Sequence, residues 1–170
     1  GGDDFVYAPS TMLQSLNQSL ELAAADPSNE MALSLAVNSA RDFAESVNTS
    51  YQGLLNQRQE VDAAIAAGVD ELNELLTRFE DANTRIVVAN QGGKDDFTSE
   101  DVRDALINEI SEFIGVSVIR RENNDMMLVA SNGAVLFDRK PRAVNFEQTV
   151  IYGPQTEGNA ITIDGVPITG

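Results

Sequence analysis

Between Ala40 and Ile86 the sequence runs ARDFAESVNTSYQGLLNQRQEVDAAIAAGVDELNELLTRFEDANTRI. Within it Ala40, Ala44, Val47, Tyr51, Leu54, Arg58, Val61, Ile65, Gly68, Leu72, Leu75, Phe79, Ala82 and Ile86 recur at alternating steps of four and three. Such steps hold one stripe of a helix toward a partner, so the spacing predicts one very long helix over residues 27–90. At 1.5 Å per residue, roughly 60 residues reach about 90 Å. Arg58 and Gly68 are the soft positions of the seam: a long cationic chain can snorkel away from it, and glycine admits a neighbouring backbone. A stripe of this length cannot be covered by one short helix, so further helices are expected from this chain, from chain beyond it, or from neighbours.

Shorter helices flank the long one. Pro9-Ser10 opens a helix over 10–24 with Met12, Leu13, Leu16, Leu20 and Leu22 as its apolar positions. Asp26-Pro27 reads as an N-cap followed by proline at the first helical position, where a missing N–H costs nothing. Gln91-Gly92-Gly93 ends the long helix. A third helix over 98–114 starts at Thr98, with Asp101 completing a variant capping box and Phe97 and Val102 as a staple. It places Val102, Leu106, Ile110 and Phe113 on one face before Gly115 stops it.

After Gly115 the period changes to two. Val116–Ile119, Met126–Val129 and Ala134–Phe137 read as strands of an antiparallel meander, linked by Asn123-Asn124-Asp125 and by the hairpin pair Asn132-Gly133. Further strands are expected at Ala143–Phe146, Thr149–Tyr152 and Ala160–Ile163, with Asp164-Gly165 turning toward Val166-Pro167-Ile168. The expected fold class is α+β: an elongated antiparallel helical bundle over 1–114, then a small antiparallel β region over 115–170 that stops mid-pattern. Charge divides in the same way. Residues 1–115 hold 21 acidic and 6 basic side chains, and residues 116–170 hold 6 and 5.

Composition narrows the function. The chain has no His, Cys or Trp, so the usual zinc ligands and the Cys-His and Ser-His-Asp triads are missing. A net charge of -16 disfavours nucleic acid and anionic membrane surfaces, which need a basic face. There is no apolar run of membrane-spanning length and no signal-peptide pattern; Gly1-Gly2 reads as a cloning remnant. Asp95-Asp96 and Glu100-Asp101-Asp104 lack the spacing of a calcium loop and suit the helix dipole better. Gly92-Gly93-Lys94 lacks the first glycine and the hydroxyl residue of a P-loop, and Asn48-Thr49-Ser50 falls inside the long helix. No catalytic, cofactor-binding or metal-binding residue is assigned. Arg120, Arg121, Arg139, Lys140 and Arg142 form the one basic concentration. They read either as charge that keeps strand edges soluble or as a subunit interface that meets a neighbour's acidic helix.

The order of these elements resembles the flagellar hook-associated protein 1 (FlgK) family. Asp26-Pro27, Arg41, Ala44, Asn48, Tyr51, Leu54, Arg58, Val61, Ile65, Val69, Asn73, Leu76 and Asn83 look like that family's long-helix pattern. Asp101-Val102-Arg103-Asp104-Ala105-Leu106 is similar to its Asp-Gln-Arg-Asp-x-Leu motif, with Val102 in place of Gln. Ile114-Gly115-Val116-Ser117-Val118 follows, and Asn132-Gly133-Ala134-Val135-Leu136-Phe137 resembles its Gly-x-x-Leu strand start. The resemblance covers about residues 10–145 and implies an internal fragment without the family's terminal polymerising segments. It further implies a structural, non-enzymatic part of the bacterial flagellum at the hook–filament junction, needed for filament assembly and motility and exported through the flagellar secretion channel. The implied partners are copies of itself in a ring, neighbouring axial proteins and, for the full-length protein, an export chaperone. The rival readings are another axial subunit of flagellin or hook type, a non-flagellar helical interaction module, and an enzyme.

Overall fold

Pro9 occupies the first turn of helix α1 (Pro9–Ala25), where its fixed φ suits the helix and its missing N–H would have gone unpaired anyway. The computed structural model describes residues 8–153 and 155–168, so Gly1-Gly2 fall outside the described residues. Asp26 does not cap the long helix. Its Oδ1 accepts from the Ser28 N–H at 3.2 Å, closing a tight turn, and Asn29 Oδ1 accepts from Met31 N and Ala32 N at 3.1 and 3.2 Å. Helix α2 therefore begins at Glu30 and runs to Gln91, 62 residues. It ends as the glycine pair implies: Gly93 takes φ 69°, Lys94 N donates to Ala89 O and Gly93 N to Asn90 O, each at 3.0 Å. This is the Schellman pattern that a left-handed glycine permits.

The chain forms two compact units, Gly1–Arg58 and Gln59–Gly170, and the division falls within α2. In the first unit the expected stripe is not the buried one. Ala36, Ser39 and Ser46 are buried in α2, and Ser19 and Ala23 in α1. Leu13, Leu20, Leu22, Val47 and Leu54 are 43–57% exposed. A strict heptad drifts by about 20° per seven residues against a 3.6-residue helix. Extended upstream through five heptads, the reading lands about one residue off the buried face. The buried positions here are small, Ser and Ala, while Leu16 and Leu55 are half-buried and most of the other leucines face solvent.

In the second unit the stripe holds from Leu72 to Ile86, while Val61 is 53% exposed. Leu72, Leu75, Phe79, Ala82 and Ile86 are buried, joined by Val69 and Leu76. Helix α3 (Phe97–Phe113) is capped by Asp96, whose Oδ1 accepts from Ser99 N at 3.1 Å and whose Oδ2 is 2.7 Å from Ser99 Oγ. Thr98 is thus inside the helix, and Phe97, 70% exposed, staples nothing. The buried face of α3 is Ser99, Arg103, Leu106 and Ile110, while Val102 and Phe113 are 46% and 42% exposed. A charged residue displaces the expected Val102 from the core-facing row.

Strands β1 (Val116–Arg120), β2 (Met126–Ala130), β3 (Val135–Asp138) and β4 (Lys140–Pro141) form an antiparallel sheet in chain order. Met126, Leu128 and Ala130 point inward from β2 in strict alternation. Asn132-Gly133 serves a three-residue loop, not a two-residue one: Ala130 N donates to Ala134 O at 2.7 Å, Gly133 N to Ala130 O at 2.8 Å, and Gly133 sits at φ 89°. A second sheet, β5 (Val144–Asn145), β6 (Thr162–Ile163) and β7 (Val166–Pro167), closes through Asp164-Gly165, both at positive φ, as a primed turn requires. The expected strand at Thr149–Tyr152 is absent. That segment belongs to an irregular connection between β5 and β6. The architecture is α+β, with the core of the second unit formed where α2 and α3 meet the two sheets.

Candidate functional site: polar clamps and the basic cluster

The residues that carry the family resemblance become a set of polar clamps. Arg103 is 1% exposed. Its Nη1 donates to Asn83 Oδ1 at 3.0 Å and to the Asn124 carbonyl at 2.6 Å, and its Nη2 to Asn124 Oδ1 at 3.1 Å. Asn124 Nδ2 in turn donates to Glu100 Oε1 at 2.9 Å, Asn83 Nδ2 to Asp125 Oδ1 at 2.7 Å, and Met126 N to Asn83 Oδ1 at 3.1 Å. One guanidinium thereby joins α2, α3 and the turn that feeds β2. That turn holds Asn123 and Asn124 both at positive φ, 57° and 59°, a conformation Asn tolerates better than most side chains. Burial lowers the Arg103 pKa below the ordinary arginine value, opposed by Asp104, Glu100 and Asp125. Its Nε–H has no acceptor among the described residues, so desolvation of the cation is not fully offset.

A second clamp is Asn73. Its Nδ2 donates to Val144 O at 2.8 Å and its Oδ1 accepts from Val144 N at 3.2 Å, so one side-chain amide occupies the free edge of β5 as a neighbouring strand would. A third is Asp62, 7% exposed, whose Oδ2 accepts from Thr149 N at 2.8 Å. Asn73 and Asn83 belong to the quoted helix pattern, but their partners lie 71 and 42–43 residues away. The one local signal was a short polar residue directly after a stripe residue, at Val61-Asp62, Leu72-Asn73 and Ala82-Asn83. Replacing Asn73 by alanine leaves both Val144 backbone groups unpaired, which costs about 1–3 kcal/mol. Amide exchange at Val144, Thr162 and Ile163 is expected to accelerate while that of Met126–Ala130 holds.

The basic cluster divides. Arg121 Nη1 lies 2.5 Å from Asp138 Oδ1 and 3.8 Å from Asp125 Oδ2, and its Nη2 is 2.9 Å from Met127 Sδ. Lys140 Nζ meets Glu80 Oε1 at 2.7 Å, and Arg142 Nη1 meets Asp164 Oδ2 at 3.2 Å. Arg120 and Arg139 are exposed and make no ion pair among the described residues. The hydrogen bond from Arg121 holds the Asp138 carboxyl below its ordinary pKa, with Arg139 and Arg142 adding to the effect. The bond to Glu80 raises Lys140 above the ordinary lysine value. A depressed carboxyl contributes stability that is complete above its unfolded pKa of about 4 and is lost as pH falls through the folded value. The Lys140 contribution is complete below about pH 10 and is lost as pH rises through its higher folded value. Asp138→Asn is therefore expected to flatten part of the acid limb of a stability–pH profile and leave the alkaline limb unchanged; an unaltered acid limb would refute the assignment.

The acidic groups of α3 are occupied in the same way. Asp96 is the cap, lowered in pKa first by the Ser99 hydroxyl and then by the Ser99 N–H, and Glu100 supports Asn124. The fold and these fastenings define a structural domain in which helices carry small sheets through polar side chains. The helical domain of the flagellar hook-associated protein FlgK matches the chain over residues 9–163, and the chain belongs to that family. No curated protein matches it. The family is one of structural proteins of the bacterial flagellum.

Proposed function

We propose that this chain serves at the junction between hook and filament, outside the cell, as a non-enzymatic component needed for filament assembly and motility. The observation that carries the reading is the family match over residues 9–163. The exposed leucines of the first unit are in keeping with it: Leu13, Leu20, Leu22, Leu33, Leu35 and Leu54 are all 43–57% exposed, and Leu20 and Leu22, like Leu33 and Leu35, point to different sides of their helix. Packing with copies of itself in a ring and with neighbouring axial proteins would cover such residues on more than one side. The full-length protein travels through the flagellar secretion channel with an export chaperone. Among the five clustered cations, Arg120 and Arg139 make no ion pair among the described residues, and they are the ones proposed to face an acidic helix of the next subunit.

Electron microscopy of intact flagella labelled with an antibody against this chain tests the reading. A compact band between hook and filament is the expected result. Label along the whole filament would replace it with a filament-subunit role, and flagella without label would leave an adaptor or an enzyme.

A further inference from the structure

Of all the asparagines in the sequence, only Asn132 is followed by glycine, and the pair stands exposed in the β2–β3 loop. A Cβ built on Gly133 would meet nothing within 4 Å, so base and water reach the peptide that joins the two. Glycine also brings no side chain to hinder its own nitrogen from approaching the side chain before it. Yet both groups that would react are held. Gly133 N donates to Ala130 O at 2.8 Å, and Asn132 Oδ1 accepts from Ala134 N at 3.0 Å. The 2.7 Å bond from Ala130 N to Ala134 O closes the same loop, with Gly133 at φ 89°, so the holds belong to one closed turn.

We infer that Asn132 is a self-modification site of this chain: it deamidates through Gly133 when the hairpin end is open and is latched against the reaction when the hairpin end is closed. Base removes the Gly133 amide proton, and the nitrogen attacks Asn132 Cγ. A bond forms from Gly133 N to Cγ, the bond from Cγ to Nδ2 breaks, and Nδ2 takes a proton from water and leaves as ammonia. Water then opens the resulting succinimide, giving aspartate by addition at Cγ and isoaspartate by addition at the main-chain carbonyl. In the closed turn the Gly133 proton is committed to Ala130 O, which opposes its removal, and the Asn132 amide is committed to Ala134 N. Reaction therefore draws on the loops in which both bonds are open, about a tenth of the molecules or fewer for bonds of ordinary strength. Isoaspartate does not relatch, because it routes the main chain through Cβ and Cγ and lengthens a loop whose closing bonds fit three residues. Modification at Asn132 thus records the time a chain has spent unfolded.

The chain is incubated at mildly alkaline pH in buffer and in guanidinium chloride, with circular dichroism verifying that it is folded in the first and unfolded in the second. Aspartate and isoaspartate at each asparagine are followed by peptide mass mapping with fragmentation, and isoaspartate is checked by labelling with an isoaspartyl methyltransferase. Product is expected first at Asn132 in guanidinium, and about ten-fold or more slowly in buffer. Asn132→Gln should remove the early product, since the longer side chain closes its ring slowly. Equal rates in the two solvents overturn the latch. Early product at another asparagine, or undiminished product in Asn132→Gln, overturns the site. Modified chains returned to buffer are expected to exchange the Ala130 amide faster while Leu75 and Leu76 in α2 hold; unchanged exchange at Ala130 overturns the claim that the turn does not relatch.

Discussion

Replacing Arg103 by leucine is expected to lower the stability of the second unit by roughly 3–5 kcal/mol, seen as a shifted urea midpoint. Three acceptor contacts, two from Asn124 and one from Asn83, lose their donor at once, and each buried polar group left unpaired costs about 1–3 kcal/mol. Asn124 then has less to hold it at φ 59°, so the entry to β2 loosens and amide exchange at Met126 and Leu128 accelerates. Arg103→Lys keeps the charge but cannot reproduce the fork that reaches Asn83 and Asn124 together; it is expected to recover only part of the loss. Arg78→Leu is the control. Arg78 pairs with Glu109 at 3.7 Å with both side chains about half exposed, and such a change stays within about 0.5 kcal/mol. Equal effects at Arg78 and Arg103 would show that the buried network contributes nothing particular.

Phe79→Ala is expected to cost about 3–5 kcal/mol. Phe79 and Phe137 are both fully buried, and their rings meet edge to face, with centroids 4.9 Å apart and planes at 77°. The contact joins the C-terminal third of α2 to β3, so its loss opens a cavity in the core. A double-mutant cycle with Phe137→Leu should return a coupling of about 0.5–1.5 kcal/mol beyond the burial of each ring. Additive effects would mean that the geometry of the pair contributes no more than its area.

Much of this fold was legible in the spacing of apolar residues, and its failures have distinct physical causes. From Leu72 to Ile86 the stripe named the buried face; upstream, helical drift carried it onto Val47, Leu54 and Val61, which are exposed. Caps were misplaced by two or three residues at Asp26 and Thr98 because several neighbouring side chains can accept the same N–H, and only the backbone chooses Asn29 and Asp96. Arg103 stood in a recognisable motif, yet its role was invisible: a lone arginine on a helix defaults to solvent, and its acceptors arrive from a left-handed turn 21 residues later. The basic cluster was legible as a concentration of charge. That Lys140 reaches Glu80, or Arg142 reaches Asp164, depends on chain reversals that local spacing does not encode.

The fastening of each sheet by its own asparagine has a mechanical consequence. Asn73 grips the second sheet and Asn83 the approach to the first, and ten residues of helix separate them, about 15 Å. A pull transmitted along α2 therefore reaches the sheets through these two attachments in parallel, with the Asp62 clamp on Thr149 as a third on the β5–β6 connection. If the Asn73 attachment gives way, the Asn83 and Arg103 attachment still bears load, so a failure in the smaller sheet stops at the helix and does not run through the domain.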